Sequence, residues 1–145
     1  MLRAVLIVLC ASACTAADPG TAPDGGTGSA CDEAKTHSDL AWIQDNVFTP
    51  SCAVGGCHHA SAVGAGHLSL DDGLSQLQLV NTVSTSSSSW MRVVPSDASK
   101  SYLLVALGAQ SGPRPVDGLM PLGRPPLCSD EVAAIQRWIA AGARP

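Results

Sequence analysis

The sequence predicts an all-α domain with long loops. Three observations carry this. Apolar residues recur at helical spacing in four stretches. No stretch alternates apolar and polar residues as a half-buried strand would. Gly and Pro concentrate between the helical stretches.

In chain order, the first segment is Met1-Leu2-Arg3, an apolar run from Ala4 to Leu9, then Ala11-Ser12-Ala13-Cys14. A single positive charge, a short apolar core and a small-residue end describe an export signal over residues 1–13. Ala11-Ser12-Ala13 fits a cleavage site. The stretch also resembles a bacterial lipoprotein signal, with Cys14 as the lipidated residue. The mature chain is then expected in the periplasm or on the outer membrane or cell surface, associated with the membrane through a lipid anchor if Cys14 is modified. Residues 14–30 read as a flexible tether: from Thr15 to Ala30 the chain is Thr, Ala, Asp, Pro, Gly and Ser without apolar periodicity. The folded domain is expected over residues 31–145.

Within it, Ser38 to Phe48 reads as a helix. Ser38 can cap it, Leu40, Ile43 and Val47 share a face, and Pro50 stops it. Leu70 to Val80 is a second helix, with Asp71 and Asp72 in its first turn. Ser84 to Ser89 is a polar loop. Asp97 to Leu107 is a third helix, ended by Gly108. Gln110 to Pro126 holds five Pro and is read as an irregular loop. Ser129 to Ala141 is the clearest helix: Ser129 as cap, Asp130 and Glu131 at its positive end, Val132, Ile135 and Ile139 as its stripe.

Composition narrows the function classes. The 145 residues are 46% apolar, yet only five are aromatic: three Trp, one Tyr and one Phe. Few large side chains are available to fill a core. The net charge of −4 argues against a nucleic-acid footprint. No apolar run reaches the ~18–20 residues of a spanning helix. No Ser-His-Asp logic or phosphate-binding loop is present, so an enzyme is not expected.

The segment with chemistry is Ser51-Cys52-Ala53-Val54-Gly55-Gly56-Cys57-His58-His59, directly after the first expected helix. Two thiols can add to the vinyl groups of haem, and the His that follows can then reach the iron. The attachment signature is C-x-x-C-H. Here four residues separate the cysteines, and Gly55-Gly56 could loop out while both sulfurs stay presented. Two other readings use the same residues. Cys52 and Cys57 could form a disulfide, worth about 2 kcal/mol for so short a loop, with His58 and His59 at the surface and Met120 as an apolar anchor. The set could also hold zinc or copper, although C-x-x-C zinc pairing is absent.

Further stretches extend the picture: Asn46-Val47-Phe48, Gly66-His67-Leu68-Ser69-Leu70, Arg92-Val93-Val94-Pro95, Ser101-Tyr102-Leu103-Leu104, Gly118-Leu119-Met120-Pro121 and Ile135-Gln136-Arg137-Trp138-Ile139. Together with Cys52 to His58, the region from Asp39 to Ala143 resembles the single-haem c-type cytochrome domains of exported bacterial proteins. The resemblance implies a cytochrome c-like helical fold whose first and last helices cross. It implies one haem c, with iron between His58 as proximal and Met120 as distal ligand, and Cys52 and Cys57 as thioether positions. The implied function is electron transfer with redox partner proteins. A thioether ligand favours reduced iron and raises the potential. His67 is a rival distal ligand, Met91 a packing residue, and His37 a surface residue. Arg92 could pair with a haem propionate or stand solvated at the surface. If the terminal helices cross, Cys31 and Cys128 can meet, and that bond would be worth about 4–5 kcal/mol. The alternative from another class is a haem-free, disulfide-stapled surface module that binds a protein or glycan.

Overall fold

A computed structural model describes residues 28–60 and 65–145. The export signal and most of the tether lie outside the described residues. The folded unit starts earlier than expected: helix α1 spans Gly28–Ala34 and takes in the end of the stretch read as tether. It is held by few apolar contacts. Ala34 enters the core, and the last carbonyls of the helix are met from outside. Arg137 donates to the carbonyl oxygen of Ala34, and to that of His37 at 2.9 and 3.1 Å. An arginine at a helix C-terminus satisfies acceptors the helix itself cannot. A short apolar-poor helix fixed this way leaves no periodic signal.

Helix α2 spans Leu40–Ile43 and is capped by Asp39, not Ser38; its carboxylate accepts the Trp42 N–H at 2.8 Å. The coil then widens into a π-helical segment, Gln44–Cys52, that passes through Pro50. The Ala53 N–H closes the segment on the carbonyl of Phe48 at 2.7 Å, five residues back. Pro50 therefore does not end the element, and the wider winding carries the chain on to Cys52. Leu40, Ile43 and Val47 are buried together as their spacing requires.

The second expected helix shrinks to α3, Ser75–Leu79. Gly73 adopts φ +74°, a left-handed turn that an α-helix cannot contain. The third is broken in two: a 3-10 turn at Ala98–Lys100 and helix α4, Tyr102–Ala106. Ser101 stands extended between them. Its hydroxyl donates to the Asp97 carbonyl at 2.8 Å and accepts the Val94 N–H at 2.9 Å, offering the backbone an alternative to helix. Helix α5, Ser129–Ala140, is where periodicity puts it. Its cap is Cys128, one residue earlier than expected, and the Glu131 carboxylate accepts the Cys128 N–H at 2.9 Å.

The all-α expectation, and with it the cytochrome c-like helical fold, is overturned. The described residues form five short α-helices, one π and one 3-10 segment, and four isolated β-bridges. The bridges are Val80–Val93, Val83–Met91, Met91–Ser101 and Val94–Asp97. Each is a single pair, too short to leave an alternating pattern. The architecture is a small, mixed, loop-rich fold.

Its core is aliphatic, with Ile43, Leu70, Leu79, Val93, Leu104, Ile135 and Ile139 around two aromatic residues. Phe48 and Trp138 meet edge to face at 6.5 Å, joining the π segment to α5. Cys31 and Cys128 form a disulfide, with Cα atoms 6.2 Å apart, that ties α1 to the start of α5. The pairing of these two cysteines is as expected.

Candidate functional site

The π segment delivers Cys52 to the wall of an open cavity. The four spacer residues then fold back on themselves. The Cys57 N–H reaches the Val54 carbonyl at 2.9 Å, and the His58 N–H returns to the Cys52 carbonyl at 3.0 Å. Gly55 and Gly56 bulge outward with open space beside them, and Gly56 has φ +81°. The longer spacer is thus closed at its base by a backbone hydrogen bond. Cys52, Cys57 and His58 all line the same cavity. Both thiols are free, so the Cys52–Cys57 disulfide of the alternative reading is not formed here.

His58 is oriented by its second nitrogen. Its Nδ1 lies 3.1 Å from the Leu68 carbonyl oxygen. A carbonyl only accepts, so the neutral ring carries its proton on Nδ1 and its lone pair on Nε2. Burial lowers the His58 pKa; the Leu68 bond opposes this and the nearby Arg92 charge adds to it. A neutral imidazole with one nitrogen pinned to a carbonyl is the usual form of a metal-ligating His. Burial also pushes the Cys52 thiol up to about 12, so it is protonated at neutral pH.

The wall opposite in sequence comes from the Pro-rich loop. Met120 lines the cavity, and its N–H is tied to the Ala106 carbonyl at the end of α4 at 2.8 Å. The structure thus brings Cys52, Cys57, His58 and Met120 to one cavity of about 220 Å³. Leu68, Leu70, Leu79, Leu103 and Leu107 supply its apolar surface.

The rivals lie elsewhere. His67 is exposed, at φ +51°, and is not on the cavity wall. Met91 is exposed, and it too is off the wall. His37 stacks on Trp42 at 4.6 Å. His59 bonds the Asp71 carboxylate at 2.6 Å. Among the described residues, one group of three His, Cys, Asp or Glu ligand atoms meets within 4.8 Å, Cys31, Cys128 and Glu131, and its two sulfurs are bonded to each other.

The roles of Gly66 and Tyr102 were not read from the sequence, and Arg92, read either as a haem-propionate partner or as a solvated residue, is buried. It pins two loops by donating to the carbonyls of Gln78 and Gly66, both at 2.8 Å. Gly66 is required where it stands: φ is +66°, and a Cβ would meet the Thr85 hydroxyl at 2.7 Å. Tyr102, the single Tyr, lines the cavity with a buried hydroxyl that has no hydrogen-bond partner. Its place in the apolar run Tyr102-Leu103-Leu104 hid that role.

Asp71 anchors the segment next to His58. Its carboxylate accepts from His59, from the Ala60 N–H at 2.8 Å and from the Ser69 hydroxyl at 2.8 Å. The Ala60 bond, then those of His59 and Ser69, hold its pKa down to about 2, against 3.8 when unfolded. A depressed carboxyl contributes stability that is full above the unfolded value and lost as pH falls toward 2. The wild-type advantage in melting temperature over Asp71→Asn should therefore be constant above pH 5 and vanish near pH 2. A difference that does not change with pH would show that the carboxylate charge plays no part.

No known protein family, no curated protein and no solved structure matches the chain.

Proposed function

We propose that this chain binds one haem and carries single electrons between redox partner proteins. One observation carries the reading. Two thiols, a neutral His with a fixed tautomer and a Met thioether, drawn from stretches more than 60 residues apart in sequence, line one apolar cavity. The donor set fits the group. Thiols can add to the haem vinyl groups, and an imidazole with a thioether would hold the iron at a high potential. The buried unpartnered Tyr102 hydroxyl also fits an absent polar partner.

On this reading the iron supplies one-electron exchange. The protein's residues do the rest. His58 is held neutral by burial and aimed by Leu68. Met120 is held on a loop braced against α4. Cys52 and Cys57 stand beside His58 because the spacer closes on itself. His58 and Met120 would hold the iron and would leave no position for a substrate at the metal, so the reading is a carrier rather than an enzyme. The leaders read in residues 1–30 would place it outside the cytoplasm, lipid-anchored through Cys14.

The test is intact mass and a pyridine haemochrome spectrum of protein made together with a haem-attachment system. The expected result is a mass gain of one haem, with both thiols consumed. Colourless protein with two free thiols would overturn the reading. In the loaded protein, Met120→Ala should lower the midpoint potential, because loss of the thioether removes the preference for reduced iron. An unchanged potential would remove Met120 from the ligand role.

A further inference from the structure

Gln44 opens the π segment, is buried at 3% exposure, and does not line the cavity. Both ends of its amide are engaged. Nε2 donates to the Leu70 carbonyl at 2.8 Å and to the Thr49 hydroxyl at 3.1 Å. Oε1 accepts from the hydroxyl of Ser75, itself buried, at 2.5 Å. A carbonyl only accepts, so Leu70 fixes which end of the amide faces it. Leu70 leads on to His58. Its N–H donates to the His58 carbonyl at 2.7 Å, and the Leu68 carbonyl meets His58 Nδ1 at 3.1 Å. Residues 68 and 70 thus hold His58 by ring and by backbone, and Gln44 holds residue 70. Gln78 and Asp71 brace Ser69 between them, but neither bonds the π segment. Among the described residues, no other hydrogen bond joins the π segment to residues 68–71.

We propose that Gln44 is a positioning residue for His58: through Leu70 it sets the His58 ring against the π segment that carries Cys52, and so maintains the Nδ1 bond to Leu68. An apolar side chain in its place would leave the Leu70 carbonyl and the Ser75 hydroxyl buried without their partner, and such groups shift to find another. Leu68 moves with Leu70. The consequence for iron rests on the haem reading. A ligating His that donates from its second nitrogen is the more basic ligand, and a more basic ligand favours oxidised iron. Loosening the bond to Leu68 therefore raises the midpoint potential, the opposite sign to loss of the Met120 thioether.

Gln44→Met keeps a side chain of similar length and removes every bond of the amide. The His58 tautomer is read from its ring-nitrogen NMR shifts in the full ligand-free chain, at a pH where the ring is neutral. Wild type should carry the proton on Nδ1. Gln44→Met should populate the Nε2–H form and, in haem-loaded protein, shift the midpoint potential upward. Ser75→Ala removes one bond of the same amide and should move both readouts the same way by less. Ile139→Val, a change in the core away from this network, should move neither. An unchanged tautomer in Gln44→Met, or a changed tautomer with an unmoved potential, overturns the proposal. So does an equal response to Ile139→Val, since loosening of the core would then suffice. If Gln44→Met fails to fold, an unchanged tautomer in Ser75→Ala overturns it instead. A tautomer that responds as expected in a chain that takes up no haem overturns the haem reading and leaves the positioning of His58 by Gln44 standing.

Discussion

Replacing Cys31 and Cys128 together by Ser should lower the stability of the domain by about 4–5 kcal/mol. The bond closes a loop with a sequence separation of 97 residues, nearly the whole folded unit. Most of the effect arises in the unfolded chain, which gains freedom when the link is cut. The folded side loses as well. Helix α1 contributes one core residue, Ala34, and is otherwise held by Arg137. Without the covalent link these contacts must order seven residues alone, against about 1–2 kcal/mol of backbone entropy each. Helix α1 should therefore fray before the rest unfolds. Urea denaturation of wild type and the double variant gives the difference directly, and amide exchange over residues 28–34 tests the fraying. A loss below about 1 kcal/mol would mean that the closed loop does not limit the unfolded chain.

Trp138→Ala should cost about 3–5 kcal/mol, the range for removing a large buried aromatic side chain. Trp138 is 1% exposed, packs edge-on against Phe48 at 6.5 Å, and donates its indole N–H to the Arg144 carbonyl at 2.7 Å. The substitution removes all three at once. Its consequence reaches the site, because Phe48 belongs to the π segment that ends at Cys52. The variant should show a lower urea midpoint at unchanged slope and, on the proposed haem reading, weaker binding of iron protoporphyrin IX. Phe48→Leu, which keeps an apolar side chain on the same segment, should lose much less. Equal losses in the two variants would argue that the indole adds nothing beyond filling space.

Legibility followed the range of the forces involved. Helix α5 was readable because its stripe, Ile135 and Ile139 among others, repeats over three turns, and repetition is what periodicity detects. The Cys31–Cys128 pairing was readable because four cysteines in the domain split between one tight motif and two distant singles. Cys52, Cys57, His58 and Met120 stood out by residue type, and all four line one cavity. The mixed, loop-rich fold was not readable, for reasons visible at single residues. A left-handed Gly73 shortened α3, and the Ser101 hydroxyl split the helix expected over 97–107. Pro50, read as a stop, is absorbed by a wider helix whose bonds skip its missing N–H. The roles of Arg92 and Tyr102 depend on burial between segments that pair only in three dimensions, and no local pattern encodes that.

The bond from the His58 N–H to the Cys52 carbonyl has a broader meaning. It makes the stretch between the cysteines a small ring closed at its neck, with Gly55 and Gly56 on the far side. The number of residues in that ring is then free to drift, since adding or deleting one at the far side leaves the neck where it was. Sequence patterns that fix the count between two cysteines describe one ring size. A pattern written around the neck would admit many, and chains such as this one would fall within it.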